Sequence, residues 1–143
     1  MNVESVLPRD YPELLDVWEN SVRATHDFLT EEDIEFFQPI IIEQAFPNVE
    51  LRCVRNESEA IVGFVGVHEA KIEMLFITDT ARGTGIGKAL LKFATEQLGA
   101  NLVDVNEQNP KAVGFYLHMG FKVMSRSPLD DMGKPFPILH MKK

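Results

Sequence analysis

Three glycines at alternate positions form the most informative pattern in this chain of 143 residues. Gly83, Gly85 and Gly87 follow the apolar run 72–78 and precede an amphipathic segment that begins near Ile86. Glycine lets the backbone turn tightly and lets a ligand approach without a Cβ in the way. The exposed N–H groups of a first helical turn, together with the helix dipole, favour an anion. The pattern therefore predicts a phosphate or pyrophosphate site built from main-chain amides.

The spacing excludes two common phosphate-binding loops. A P-loop requires a glycine, four further residues and then Gly-Lys followed by Ser or Thr. Here Arg82 stands in place of the first glycine, and Ala89 stands in place of Ser or Thr. A dinucleotide fingerprint requires Gly-x-Gly-x-x-Gly, and after Gly83 and Gly85 the third glycine position holds Lys88. The remaining pattern is Arg-x-x-Gly-x-Gly, with a glycine-rich turn that only shapes the chain as the alternative.

A second pattern runs from Asn109 to Phe121 and reads Asn-x-x-Ala-x-x-Phe-Tyr-x-x-x-Gly-Phe. Asn109 suits a helix N-cap, and Pro110 suits the first helical position. Gly120 is placed to end that helix in the left-handed conformation. The preceding segment 101–106 alternates, which predicts a strand. We therefore expect a strand, a helix and a further strand that begins at Phe121.

Together the two patterns resemble the GNAT superfamily of N-acetyltransferases. Arg-x-x-Gly-x-Gly is similar to the loop that binds the acetyl-CoA pyrophosphate in that family, and the second pattern is similar to the motif that forms the other wall of the cofactor cleft. The tail 127–141 and the segment 18–29 resemble small bacterial members, a branch that includes enzymes acting on peptidyl lysine. The resemblance implies an α/β (α+β) fold in one domain, residues 1–143. In that fold a mixed, mostly antiparallel twisted sheet is flanked by helices, and its splayed central strands form the acetyl-CoA cleft.

The periodicity of apolar residues agrees with that fold. The predicted order is one strand, two helices, a meander of three strands, a helix, a strand, a helix and two closing strands. A capping box is expected at Thr30–Asp33, at the start of the second helix, and Pro39 is expected to break or kink that helix. The predicted bounds are strands at 3–7, 49–55, 60–68, 72–78 and 101–106 and helices at 10–25, 30–45 and 85–98.

The resemblance also implies which residues hold acetyl-CoA as the acetyl donor. Backbone groups of Leu75, Phe76 and Ile77 are expected to pair with the pantetheine as an added strand would. Asn109 is expected to bond the pantetheine arm. The pyrophosphate is expected on the glycine loop, which consists of Arg82, Gly83, Thr84, Gly85, Ile86, Gly87 and Lys88.

Tyr116 is the candidate acid, because the family motif has a tyrosine at this point that faces the thioester sulfur. A thiol of the CoA type has a pKa of about 8.5, so a hydroxyl within reach can stabilise or protonate the departing thiolate. The alternative is an amphipathic core tyrosine, since Val113 and Leu117 flank it.

Glu73 is the candidate base. An attacking lysine amine must lose a proton, and holding it neutral at pH 7 costs about 4.6 kcal/mol. Strand alternation over 72–77 would put Glu73 on an otherwise apolar face with Leu75 and Ile77, where a carboxylate can act through water. The alternative is an exposed strand carboxylate or a salt-bridge partner.

Four further residues are expected on the acceptor side. Asp104 and Asn106 share a face of the neighbouring strand, and Asp104 is the fallback base. His26 and Phe28 are expected to line the amine site, with a packed loop as the alternative for both.

Composition and charge restrict the function classes. Fourteen basic against 22 acidic residues give a net charge of −8, which disfavours a nucleic-acid partner. The same charge suits a cationic amine through electrostatic steering, with plain solubility as the alternative. The histidines show no ligand spacing, so no metal is expected. No apolar run approaches a membrane span and no leader is apparent, so a cytoplasmic location is expected.

The sequence thus predicts an enzyme that transfers an acetyl group from acetyl-CoA to a primary amine, on a protein lysine or N-terminus, by direct attack in a ternary complex. A small amine such as a polyamine or an aminosugar is the alternative acceptor. A CoA-binding sensor module without turnover is the alternative from another class. The sequence leaves the oligomeric state open, a homodimer included.

Overall fold

Strands and helices follow the predicted order in the computed structural model, which describes residues 2–25 and 29–143. Within those ranges seven strands form one sheet and four α-helices cover it. The strands are β1 Val3–Ser5, β2 Glu50–Arg55, β3 Ile61–His68, β4 Lys71–Ile77, β5 Leu102–Asn106, β6 Lys122–Ser127 and β7 Ile138–Lys142. The helices are α1 Tyr11–Thr25, α2 Glu31–Ile40, α3 Ile86–Gln97 and α4 Pro110–His118.

The sheet has the strand order β1-β2-β3-β4-β5-β7-β6 and is antiparallel except between β4 and β5. These two strands run parallel and pair at Lys71 with Leu102 and at Ile72 with Val103. Beyond those pairs they splay apart, so among the described residues the last part of β4 has no strand neighbour on the β5 side. The predicted mixed, mostly antiparallel sheet with splayed central strands is confirmed.

A β-bulge in β4 accompanies the splay. The pairing of β3 with β4 shifts register between Met74 and Ile72, which leaves Glu73 as the extra residue. Ile72 packs into the core under α3 and α4, whereas Met74 packs into the core under α1 and α2. A bulge inserts one residue into a strand and bends it. The strict period of two is therefore interrupted between Ile72 and Met74, and the expectation that Glu73 shares a face with Leu75 and Ile77 stays a prediction.

Each face of the sheet carries its own apolar core. On the face covered by α3 and α4, Leu90 and Phe121 are fully or almost fully buried. On the face covered by α1 and α2, Leu14 and Phe64 are fully buried. The glycine loop and the splayed end of β4 lie between these two layers of helices.

No helix within the described ranges is long and apolar enough to cross a bilayer.

The second helix begins and ends as its sequence predicts. Thr30 Oγ1 accepts a hydrogen bond from Asp33 N at 3.1 Å, and Asp33 Oδ2 accepts one from Thr30 N at 3.0 Å, which is a capping box. The helix passes through Pro39 and then widens into a π-type turn at Ile41–Ala45. Because proline removes an N–H from the helical ladder, a change of helical geometry directly after Pro39 is expected.

Candidate active site

The glycine loop between β4 and α3 has the geometry that its sequence predicts. Gly83 and Gly85 have φ values of 74° and 88°, in the left-handed region that favours glycine. Gly85 is the N-cap of α3, and the first bond of the helix runs from Ala89 N to Gly85 O at 3.0 Å. The amides of residues 86–88 therefore lack a partner within the helix. They are available to an anion at the positive end of the helix dipole.

Two side chains of the loop hold its shape. Thr84 Oγ1 donates a hydrogen bond to the Ala81 carbonyl. Arg82 Nε lies 3.8 Å from Asp79 Oδ1, and a guanidinium N–H of Arg82 donates to Ser21 Oγ at 3.5 Å. Both side chains stabilise the turn and leave the main chain of Gly83 and Gly85 uncovered.

The loop borders a cavity of about 430 Å³. A Cβ built on Gly83 or Gly85 would meet no atom within 4 Å, so the loop backbone is directly accessible from this cavity. The charged residues in its described lining are Arg82, Lys88 and Lys111, and none is acidic. In a chain with a net charge of −8, such a cationic lining favours an anionic ligand.

The cavity brings together nearly all of the predicted cofactor residues. Its lining includes Leu75, Phe76, Ile77, Arg82, Gly83, Gly85, Ile86, Gly87, Lys88 and Asn109, with the candidate acid Tyr116. Thr84 is absent from the described lining. Sequence reasoning did not name Ser21, Thr25 and Ala81, and it included Ala112 and Phe115 only as members of the motif that was expected to form the other wall of the cleft. Helical spacing could have identified Ala112, which lies one turn before Tyr116, whereas no local signal pointed to Ser21 and Thr25 on α1.

The backbone edge of Leu75–Ile77 faces the cavity without a strand neighbour, since β4 and β5 stop pairing at Ile72 and Val103. Unpaired N–H and C=O groups at a strand edge can bind an extended ligand. Asn109 lies across from this edge as the N-cap of α4, and its Oδ1 accepts a hydrogen bond from Ala112 N at 3.2 Å. The cap uses the oxygen of Asn109, and its Nδ2 group donates to no described residue and can donate to a ligand.

Tyr116 lies where this cavity meets a second one. The residue is 7% exposed, and its ring packs against Phe115 and Phe121 at centroid distances of 5.2 and 5.5 Å. Its hydroxyl has no hydrogen-bond partner among the residues that the structure describes, and burial raises the pKa of Tyr116 above its usual value. The phenol is therefore protonated at neutral pH and can donate to a ligand atom.

The second cavity, of about 120 Å³, opens between the splayed strands β4 and β5. Its charged lining residues are Glu73 and Asp104, with Asn106 beside them, and its described lining contains neither lysine nor arginine. Tyr116 and Asn109 line both cavities. Basic side chains thus line the larger cavity and acidic ones the smaller, and Tyr116 belongs to the lining of both.

Asp104 is held by partners on neighbouring strands. Its Oδ2 lies 2.5 Å from Lys71 Nζ, and its Oδ1 lies 2.7 Å from His140 Nδ1. Burial by itself raises the pKa of the Asp104 carboxyl, but hydrogen bonds and charges from Lys71 and His140 outweigh it, and the net pKa lies below the usual value. Asp104 is therefore an anion at neutral pH. Sequence reasoning did not connect His140 with this site, because cross-strand pairing brings the two residues together.

Glu73 projects from the bulge of β4, where its side chain is exposed and lines the smaller cavity. It makes no hydrogen bond or ion pair with a described residue. This position fits both expectations for Glu73, a base that acts through water and an exposed strand carboxylate.

The remaining expectations concern the amine side and metals. His26 and Phe28, predicted to line the amine site, lie outside the residues that the structure describes. In the described ranges no group of three or more His, Cys, Asp or Glu side chains could hold a metal ion.

Comparisons with known proteins agree with this arrangement. A family model described as an acetyltransferase (GNAT) domain matches residues 26–143. Peptidyl-lysine N-acetyltransferase YjaB of Escherichia coli (strain K12) is 40% identical over 129 residues, covering 90% of this chain and 87% of that protein. The protein of the same name from Salmonella typhimurium (strain LT2) is 36% identical over 141 residues, covering 99% of this chain and 97% of that protein.

Solved structures share the fold. The solution structure of the apo form of YjaB from Escherichia coli superposes with a TM-score of 0.87 at 36% identity, over 99% of this chain and 95% of that chain. The crystal structure of PaiA N-acetyltransferase from Thermoplasma acidophilum in complex with coenzyme A gives a TM-score of 0.75 at 20% identity, over 99% of this chain and 98% of that chain. Because the family model spans most of the chain and YjaB is similar along nearly its whole length, the chain belongs to the GNAT family of N-acetyltransferases, which use acetyl-CoA as the acetyl donor.

Proposed function

We propose that this enzyme acetylates the ε-amino group of a protein lysine by direct attack on acetyl-CoA within a ternary complex. The observation that carries the proposal is the meeting of a cation-lined and a carboxylate-lined cavity at the Tyr116 side chain. A polyanionic donor and a cationic acceptor each enter the side that their charge favours. The YjaB relatives carry the name peptidyl-lysine N-acetyltransferase, which supports a protein lysine as the acceptor.

The proposed donor site runs from the glycine loop along the free edge of β4. The pyrophosphate accepts hydrogen bonds from the amides of residues 86–88, and Lys88 and Lys111 at the cavity neutralise phosphate charge. The pantetheine pairs with the backbone of Leu75–Ile77 and accepts a hydrogen bond from Nδ2 of Asn109. The backbone and amide groups in these contacts have no partner among the residues that the structure describes.

Tyr116 is proposed to stabilise the departing thiolate. Because burial raises the pKa of Tyr116, the phenol stays protonated and keeps a hydrogen to donate. An ordinary tyrosine, with a pKa near 10, is already a weaker acid than a thiol with a pKa of about 8.5. The main effect is therefore a hydrogen bond that strengthens as negative charge develops on sulfur in the transition state.

The acceptor amine is proposed to enter beside Glu73 and Asp104. Glu73 supplies the main attraction for the ammonium group, because Lys71 already pairs with Asp104. The ammonium group must then lose a proton at a cost of about 4.6 kcal/mol at pH 7. Glu73 is the candidate base through water, since its exposed side chain is free to approach a bound acceptor. The lowered pKa of Asp104 makes that carboxylate a poorer proton acceptor than an ordinary one. Asn106 adds a neutral polar group to the same wall.

Acetylation of defined amines by the purified protein tests this proposal. Release of free CoA thiol and the mass of the product are measured with a lysine-containing peptide, a peptide with a free N-terminus and no lysine, spermidine and an aminosugar. Acetylation of the lysine peptide at the highest kcat/KM is expected. Faster acetylation of spermidine or the aminosugar would establish the small-molecule alternative. Tight CoA binding without thiol release from any amine would establish the sensor alternative.

Several expectations stay predictions. These are the domain bounds 1–143, the cytoplasmic location, a homodimer and the lack of a nucleic-acid partner. His26 and Phe28 stay proposed acceptor-side residues, for which the alanine variants should raise the KM for the peptide and leave the Kd for acetyl-CoA unchanged.

A further inference from the structure

The smaller cavity at Tyr116 continues into a second space, the middle cavity, of about 270 Å³. The two share Glu73 and Met74 in their described lining. Ala45 and Val49 also line the middle cavity, and together with Met74 they belong to the apolar core under α1 and α2. The middle cavity is therefore mainly apolar, with the Glu73 carboxylate at its junction with the smaller cavity.

A third space, the outer cavity, of about 440 Å³, lies at the end of the sheet where β2 begins and β3 ends. It shares Asn48, Val49 and His68 with the middle cavity. Because each cavity shares lining residues with the next, the three form one groove, which we call the acceptor groove. It leads from Tyr116 past Glu73 to the end of the sheet.

The charge of the acceptor groove is negative beyond the smaller cavity. Glu73 lines the middle cavity, Glu50 and Glu69 line the outer one, and neither described lining contains lysine or arginine. Glu50 and Glu73 make no ion pair with a described residue, and Glu69 lies 3.9 Å from His68 Nε2. Carboxylates without a lysine or arginine partner along a groove favour a cationic ligand.

The tight turn between β3 and β4 holds Glu69 at the rim of the outer cavity. His68 pairs with Lys71 across this turn, and its two central residues, Glu69 and Ala70, have φ values of 46° and 68°. Both lie in the left-handed region, which is unfavourable for residues with a Cβ, and two-residue turns of this kind prefer Asn-Gly. A glutamate thus occupies a position where asparagine would be less strained.

Strand spacing gives the length of peptide that the groove accommodates. Glu50 on β2 pairs with Val67 on β3, and Glu73 on β4 lies at the bulge opposite Gly66 and Val67. Two strand spacings, about 10 Å, therefore separate the backbones at Glu50 and Glu73. An extended peptide covers this distance in about three residues.

We propose that the acceptor groove binds the polypeptide around the acceptor lysine and selects a basic residue about three positions away from it. The lysine side chain passes Glu73 toward Tyr116, the neighbouring apolar side chain packs in the middle cavity, and the basic side chain meets Glu50 and Glu69. The inference rests on the proposed function, because it extends the site for a protein lysine. A small free amine fills only the smaller cavity and gains nothing from the rest of the groove.

Peptides with a blocked N-terminus and a single lysine test this selectivity. The reference peptide has leucine on both sides of the lysine and alanine three positions away in each direction, and matched peptides carry arginine or glutamate at one of those two positions. Arginine in one of the two directions should raise kcat/KM about three- to tenfold, since exposed ion pairs are weak, and glutamate there should lower it. The gain should shrink at about 0.5 M salt. Serine in place of the leucine on that side should lower kcat/KM about tenfold.

Three variants locate the selectivity in the protein. Glu50→Gln and Glu69→Asn together should reduce the preference for arginine over alanine to within about twofold. Glu57→Gln removes the same charge from the turn between β2 and β3, lines none of the three cavities, and should keep the preference. Calorimetry should give an unchanged Kd for acetyl-CoA in all of them, which also verifies folding.

Thermal unfolding of Glu69→Asn separates selectivity from a structural role. Because asparagine suits the left-handed turn, this variant should have a melting temperature equal to or above that of the wild type while it loses part of the arginine preference. A lower melting temperature with an intact preference would show that Glu69 serves the turn and not the groove.

The inference is overturned if arginine, alanine and glutamate peptides share one kcat/KM, or if the preference survives in the variant with both Glu50→Gln and Glu69→Asn. Either result leaves the proposed function standing, because the lysine is still acetylated. Acetylation of spermidine and of none of the peptides would overturn the proposed function and the groove together.

Discussion

Replacement of Gly85 by alanine tests whether the loop backbone holds the donor. Gly85 is the N-cap of α3 at a φ of 88°, and a Cβ there would meet no protein atom within 4 Å. The methyl group would therefore project into the space proposed for the pyrophosphate. Two consequences are expected, a loss of stability from the strained backbone and a loss of affinity for acetyl-CoA.

The size of each effect follows from the geometry. A side chain held in the left-handed region costs about 1–2 kcal/mol, which lowers the melting temperature by about 2–8 °C in a domain of this size. A hydrogen bond to a charged group is worth about 1.5–3 kcal/mol. Loss of one amide contact to the pyrophosphate should therefore raise the Kd for acetyl-CoA by about ten- to 150-fold. Thermal unfolding and calorimetry with acetyl-CoA measure the two quantities.

Two matched variants separate strain from loss of contact. Gly99 has a φ of 69° and equally open surroundings, but it follows α3 at its other end and does not line the described cavity. Gly99→Ala should lose similar stability and keep the wild-type Kd. A Cβ on Gly87 would lie 3.7 Å from Phe115 and 3.8 Å from Ile77, which is ordinary contact. Gly87→Ala should therefore keep the wild-type melting temperature. Its Kd for acetyl-CoA should stay within about threefold of the wild-type value.

The loop assignment is refuted if Gly85→Ala binds acetyl-CoA as tightly as Gly99→Ala does. A raised Kd for acetyl-CoA in Gly99→Ala would instead show that backbone strain beyond the far end of α3 also reaches the donor site.

Three further outcomes are expected. Tyr116→Phe should lower kcat by tenfold or more with an unchanged Kd for acetyl-CoA, as measured by steady-state kinetics and calorimetry; an unchanged rate would remove Tyr116 from the mechanism. Asn109→Ser keeps an oxygen for the N-cap but removes the Nδ2 donor, so the Kd for acetyl-CoA should rise severalfold while unfolding by urea changes by less than about 0.5 kcal/mol; an equal Kd would exclude the pantetheine contact. Asp104→Asn should cost about 1–2 kcal/mol of unfolding free energy at pH 7. Because the folded-state pKa of Asp104 is lowered by Lys71 and His140, its contribution is present above the unfolded-state pKa and is lost as pH falls through the folded-state pKa. The difference between variant and wild type should therefore shrink in urea titrations at acid pH, and a constant difference would contradict the ion pairing.

The donor side of the site could be predicted because its signals are local. The left-handed glycines, the N-cap at Asn109 and the apolar stripe of α3 each depend on residues within about two helical turns of one another. The same holds for the capping box at Thr30, which the structure confirms in both of its hydrogen bonds. Local conformation and the backbone groups that it leaves exposed are therefore readable from short patterns.

The acceptor side could not be predicted in the same way. The bulge at Glu73 arises from the pairing of β4 with β3, so an alternation rule applied to β4 alone does not reveal that Ile72 and Met74 face opposite sides of the sheet. His140 lies 36 positions from Asp104 in the chain, and only the pairing of β5 with β7 brings them to 2.7 Å. Ser21 reaches the donor cavity because α1 packs across the sheet. No short pattern encodes these contacts.

The sequence by itself determined the order of strands and helices, the left-handed turn of the glycine loop and the choice of Tyr116 as a candidate acid. The tertiary structure alone decided how far β4 and β5 separate, which side chains share each cavity and how charge divides between the donor and acceptor sides. The physical reason is the range of the interactions: turns, caps and helix dipoles act between near neighbours in the chain, whereas cavities and cross-strand hydrogen bonds require residues that become neighbours only when the sheet closes.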